Sequence, residues 1–139
     1  MKPSICYRIA AVLLVLFGLG HTVGFRQTPP EWGVGELVRS MQTIHFNVQG
    51  FDRTYYGFYV GFGLFVAVFL FFSALVAWQL GRVRPETLAA IPAVTWGLVA
   101  CFLAVTVLSW RYFFVIPVVF SALITLSLAF GAWSARKTG

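Results

Sequence analysis

Residues 55–80 read YYGFYVGFGLFVAVFLFFSALVAWQL, twenty-six positions without one charged side chain. A helix rises 1.5 Å per residue, so this run would be about 39 Å long, more than the roughly 30 Å of hydrocarbon in a bilayer. A helix that is apolar on every side finds no wet face to offer water, and lipid is its natural solvent. Working outward, the same reading recurs at about residues 5–25, 88–108 and 112–133. None of the four stretches carries an acid, and their one internal base, Arg8, lies close enough to the start of its run to snorkel to the headgroups. The expected fold is all-α: a four-helix transmembrane bundle forming a single integral membrane domain over residues 1–139.

Composition agrees. Hydrophobic residues make up 60% of the chain and charged residues 10%, with a mean hydropathy of +0.86, against about 25% charged residues in soluble domains. The net charge of +6 is dispersed over loops and tails and forms no basic stripe, which argues for membrane topology and against a nucleic-acid partner. Cys6 and Cys101 lie in different apolar runs with no paired spacing, so they supply neither a redox motif nor a disulfide framework. The first run follows Lys2 and Arg8 as a signal peptide would, but it continues through Val23 without a small-residue cleavage pattern and is expected to be a retained helix.

Basic residues in flanking segments set orientation. With four spans, Lys2, Arg8, Arg82, Arg84, Arg136 and Lys137 share one side, and Arg26, Arg39, Arg53 and Arg111 the other. Three of the latter four belong to the long first connection, where the rule weakens. Both termini are therefore expected in the cytoplasm. Aromatic belts follow the same division, with Trp78 and Trp133 at the inner interface and Tyr55, Tyr56, Trp110 and Tyr112 at the outer one. Ser109, Trp110 and Arg111 make so short a connection that the third and fourth helices must be antiparallel neighbours.

The first connection, residues 26–53, has a pattern of its own. Thr28, Pro29, Pro30 and Glu31 match a capping box with proline at the first helical position. At 100° per residue, Val34, Leu37, Val38, Met41, Ile44 and Val48 share one arc, opposite Glu36, Arg39, Ser40, Thr43 and Asn47 for the most part. The expectation is an extra amphipathic helix over about 29–48 in this extracytoplasmic connection, resting on the membrane surface or folded over the bundle.

Two histidines carry what chemistry the chain offers. His21 sits one turn inside the end of the first span, among Gly18, Gly20 and Gly24. An ionisable group at that depth usually points into a bundle and is a functional candidate. On the helical wheel His45 falls inside the apolar arc between Met41 and Val48, so it should also point inward, toward His21 and toward Tyr55, Tyr56 and Tyr59. Such a pair suits axial ligation of a haem, a shared metal ion of unknown identity, or a polar pocket for a quinone or lipid headgroup. The plainer reading gives His21 a hydrogen bond to a neighbouring helix's carbonyl and makes His45 an interfacial anchor. No motif calls for a cofactor, and haem stands as the alternative.

Small residues repeat at GxxxG spacing at Gly20–Gly24 and Gly57–Gly61, with Gly63 following. In lipid, removing side-chain bulk lets backbones approach, so the first two spans are expected to pack there; dimerisation is the rival use. No acid lies in a span, so a carboxylate proton relay has nothing to run on. No nucleotide-binding loop, metalloprotease motif or nucleophile-and-histidine order is present.

At Gly20-His21-Thr22-Val23-Gly24-Phe25, Ile44-His45-Phe46 and the run from Tyr55 to Gly63, the chain resembles, over nearly its whole length, a family of small uncharacterised four-span bacterial membrane proteins with a GHTxGF motif. In size and plan alone it is similar to the DoxX-like proteins. The resemblance implies a bacterial inner membrane and transfers no catalytic role. Together these readings describe a non-enzymatic inner-membrane protein with an outer pocket for a small ligand, lipid or subunit, in contact with the bilayer and with another membrane protein or a second copy. The alternative is a redox subunit binding haem or quinone through His21 and His45.

Overall fold

A computed structural model describes residues 2–138. The elements in order are α1 (Pro3–Gly24), a 3₁₀ turn (Pro30–Trp32), α2 (Gly35–Thr43), β1 (His45–Val48), β2 (Phe51–Thr54), α3 (Tyr55–Leu80), α4 (Pro85–Ala90), α5 (Pro92–Tyr112) and α6 (Val115–Thr138). Helices α1, α3, α5 and α6 are long and apolar enough to cross a membrane. At 21 to 26 residues they extend about 32–39 Å. The chain is an integral membrane protein by this architecture.

Contacts divide the chain into two units, Met1–Phe17 with Leu70–Gly139, and Gly18–Phe69. The larger unit holds the core. Tyr7, Ala10, Ala11 and Leu14 of α1, Leu70, Ala74 and Ala77 of α3, Val99 and Phe102 of α5, and Ile124, Leu128 and Ala132 of α6 are buried together. Within each helix they recur every three or four residues, so each helix turns one stripe inward, and the many alanines let backbones come close where lipid supplies no hydrophobic drive. Gly131 is such a position: a Cβ there would lie 3.0 Å from the Tyr7 ring. Helices α5 and α6 form an antiparallel hairpin, with Thr106 bonded to Thr125 at 3.2 Å near the turn and Arg136 over Trp96 at the far end.

Two boundaries differ from expectation for a stated reason. The third span does not begin at Leu88. Pro92 disfavours helical geometry in the residue before it, and Ile91 takes φ −117°, ψ 54°, separating α4 from α5. At the other end α5 runs through Ser109, Trp110 and Arg111, so the connection to α6 is only Phe113 and Phe114. Serine and threonine hydroxyls on α6 bond to their own helix, as Ser121 does to the Pro117 carbonyl at 2.7 Å and Thr125 to the Ser121 carbonyl at 2.8 Å.

In the Gly18–Phe69 unit the continuous amphipathic helix expected over 29–48 is not formed. Thr28 caps nothing; the 3₁₀ turn has Pro29 at its N-cap without a side-chain bond, and Gly33 stops it in the left-handed region at φ 64°. Helix α2 then lasts nine residues. Beyond it, β1 and β2 pair antiparallel, Val48 with Phe51 and His45 with Thr54. The two residues between them, Gln49 and Gly50, have φ 53° and 89°, as a type I′ turn requires. The Asn47 side-chain oxygen accepts from the Gly50 N–H at 3.0 Å and closes the turn.

Candidate functional site

His21 lies in the last turn of α1, half-buried, and its Nε2 is 2.9 Å from the Gly63 carbonyl oxygen of α3. A carbonyl only accepts, so Nε2 carries the proton and donates. The imidazole stacks on Phe25 with centroids 5.1 Å apart and planes 14° from parallel. The Phe25 ring in turn occupies the space a side chain at position 63 would need, since a Cβ there would overlap it. Gly63 thus supplies both the acceptor for His21 and the hollow for its stacking partner. The Tyr59 hydroxyl donates to the Phe25 carbonyl, and Tyr56 lies against Tyr59 at 6.2 Å. Arg26 sits over the opposite part of this aromatic row, 5.2 Å from the Phe25 centroid.

His45 belongs elsewhere. Successive strand residues point to opposite faces, so placing 45–48 in a strand sends His45 and Asn47 to one side and Phe46 and Val48 to the other. His45 is exposed, and its Nδ1 meets the Asp52 carboxylate at 2.8 Å across the hairpin. Phe46 is the residue that turns toward α3, packing on Tyr55 at 4.8 Å and Phe58 at 5.7 Å. The inward-pointing His45 of the helical wheel is therefore corrected: the wheel assumed a 3.6-residue period where the backbone has a period of two.

Of the five expected site residues, the structure groups His21 with Tyr59 and Tyr56 through Phe25, and Tyr55 with Phe46. No hydrogen bond or ring contact joins His45 to His21 among the described residues, nor is there any group of three or more His, Cys, Asp or Glu able to hold a metal ion. To ligate a haem iron through Nε2, His21 would first have to release Gly63. The roles of Phe25, Phe46 and Asp52 were missed; for Phe46 and Asp52 the signal was Gly50 between two short alternating segments.

Of the glycines expected to bring the first two spans together, Gly63 is the one with a close neighbour from the first span's end, Phe25, while the others have open space or their own turn beside them. A Cβ at Gly20, Gly24 or Gly61 would meet nothing within 4 Å, and at Gly57 only the Thr54 hydroxyl of the same turn. Gly18 is buried, and its carbonyl accepts from the Thr22 hydroxyl at 2.7 Å. No known protein family, curated protein or solved structure matches the chain.

Proposed function

We propose that this chain is a non-enzymatic, multi-pass assembly component of a bacterial inner membrane, with both termini cytoplasmic, and that its Gly18–Phe69 unit docks another membrane protein. The observation that carries this reading is apolar surface outside the four long helices. Trp32, Leu37, Ile44 and Phe51 are each 60% exposed, although they lie in a connection that has polar residues enough to cover itself. Exposed apolar residues grouped in one small segment mark a contact surface. One nitrogen of each histidine is already engaged, His21 Nε2 by Gly63 and His45 Nδ1 by Asp52, and the two histidines share no hydrogen bond or ring contact among the described residues, which favours a surface built for apolar contact over a two-histidine pocket. The resemblance to small four-span bacterial proteins supports the inner-membrane location.

A photoreactive phenylalanine analogue at Leu37 or Phe51, irradiated in native membranes, tests the docking. The expected result is one discrete protein adduct common to both positions and lost on Trp32→Ser. Adducts with lipid alone would show that the segment rests on the bilayer, and an adduct of twice the chain's mass would show self-association instead. A Soret band in protein purified after growth with ample haem would favour the redox alternative.

A further inference from the structure

We infer that the larger unit carries a binding site for one anionic glycerophospholipid, with the phosphate held among Lys2, Arg8, Arg82 and Arg84 and an acyl chain laid in the groove between α1 and α3. Two adjoining hollows on the same helix pair carry the inference. The first, of about 840 Å³, lies where the first turn of α1 faces the connection from α3 to α4, and those four bases are its only charged lining residues. None of them has a carboxylate partner among the described residues; the ion pair the structure shows is His45 with Asp52. Glu86, in the first turn of α4, does not line it.

The floor of this hollow is built. Gly81 brings the connection against α1 so closely that a Cβ would lie 3.2 Å from the Ser4 carbonyl and 3.2 Å from the Arg8 Cγ. Guanidinium groups pair with phosphate oxygens through two parallel N–H donors, which makes an arginine cluster of this kind selective for phosphate over a neutral headgroup.

The second hollow, of about 350 Å³, is apolar and continues along the same two helices, with Ala11 and Ala74 as its small bottom and Val12, Leu16, Leu75 and Trp78 among its walls. Arg8 lies over the Trp78 ring at 5.7 Å and joins the two hollows. A charged head compartment beside an apolar trough, linked by Arg8 over Trp78 at the end of spanning helices where headgroups reside, matches one amphiphile and not a free anion. Basic pockets between membrane helices hold anionic headgroups by this chemistry.

Native mass spectrometry of the full chain, delipidated in mild detergent and offered phosphatidylglycerol or phosphatidylcholine of identical acyl chains, reads the site. Phosphatidylglycerol is expected to be retained at least ten-fold better. The double substitution Arg82→Ala with Arg84→Ala should lower that retention roughly ten-fold or more, while Arg111→Ala, at the other end of α5, should leave it unchanged. Val12→Trp fills the groove without touching a charge and should also reduce phosphatidylglycerol binding. These positions are exposed, and circular dichroism melts confirm that each variant folds. Equal retention of the two lipids, or a preference that survives the arginine substitutions, overturns the proposal. So does full competition by glycerol 3-phosphate together with a silent Val12→Trp, which would make this a site for a free phosphate ester.

Discussion

A methyl group at position 63 would collide with the Phe25 ring, and that ring is not free to swing, because His21 stacks on it and Tyr59 holds the Phe25 carbonyl. Gly63→Ala should therefore destabilise by about 1–3 kcal/mol, the usual cost of overpacking. Gly61→Ala, where nothing lies within 4 Å, should change stability by less than about 0.5 kcal/mol. Unfolding in mixed micelles with increasing dodecyl sulfate measures both, and equal effects would contradict the assignment of Gly63. Tyr7 offers the opposite case. Its side chain is fully buried and its hydroxyl has no hydrogen-bond partner, so the polar group costs free energy without returning any. Tyr7→Phe is expected to be neutral or stabilising by up to about 1 kcal/mol in the same assay, and a loss of stability would mean that the hydroxyl is satisfied.

At the scale of elements, the hairpin depends on its turn. Both central residues have positive φ, a conformation that asparagine and glycine adopt most readily and glutamine does not. Gln49→Asn should stabilise the hairpin by about 0.5–1 kcal/mol, and Gly50→Val should cost about 1–2 kcal/mol. Amide hydrogen exchange over residues 45–54 reports both, with slowed exchange for the first and accelerated exchange for the second. This element was the one least legible in the sequence. From Val34 to Val48 the apolar residues satisfy a helical arc, and four-residue strands give alternation too little length to compete with it. What decides is local: Gly33 in the left-handed region, and the β-branched and aromatic residues Ile44, Phe46 and Val48 leading into a two-residue turn. The four long helices were legible because hydrocarbon permits a single chain segment little else than a helix. Which face of each is buried was not. On α3, Phe65, Val68 and Phe72 are exposed while Leu70, Ala74 and Ala77 are buried, and both sets are apolar, so hydropathy does not tell them apart. The GxxxG spacing has a related limit, since it records where a helix is narrow and not which neighbour fills the gap; of these glycines it is Gly63 whose gap is filled, by Phe25 at the end of α1.

At the scale of the whole molecule, charge and aromatic residues meet at one end of the larger unit. Arg8 lies over Trp78, Arg136 over Trp96 and Lys137 over Trp133. Tryptophan favours the headgroup level and lysine and arginine favour the cytoplasmic side of it, so these three pairs agree with the proposed orientation, their bases being three of the six on that side. In a background with Cys6 and Cys101 replaced, Lys2→Cys should react with a membrane-impermeant maleimide only after the inner membrane is opened, and Gln49→Cys should react in intact spheroplasts. Labelling of both from the same side would contradict the single crossing between them, made by α1, and the orientation drawn from it. Charge also makes the result adjustable: Arg82 and Arg84 are the bases of a short connection, where the rule is strongest. Replacing both with Asn should produce a minor population with Lys2→Cys accessible from outside, whereas the same change at Arg39 and Arg53, in the long connection that also carries Glu31, Glu36 and Asp52, should leave the labelling pattern as it is.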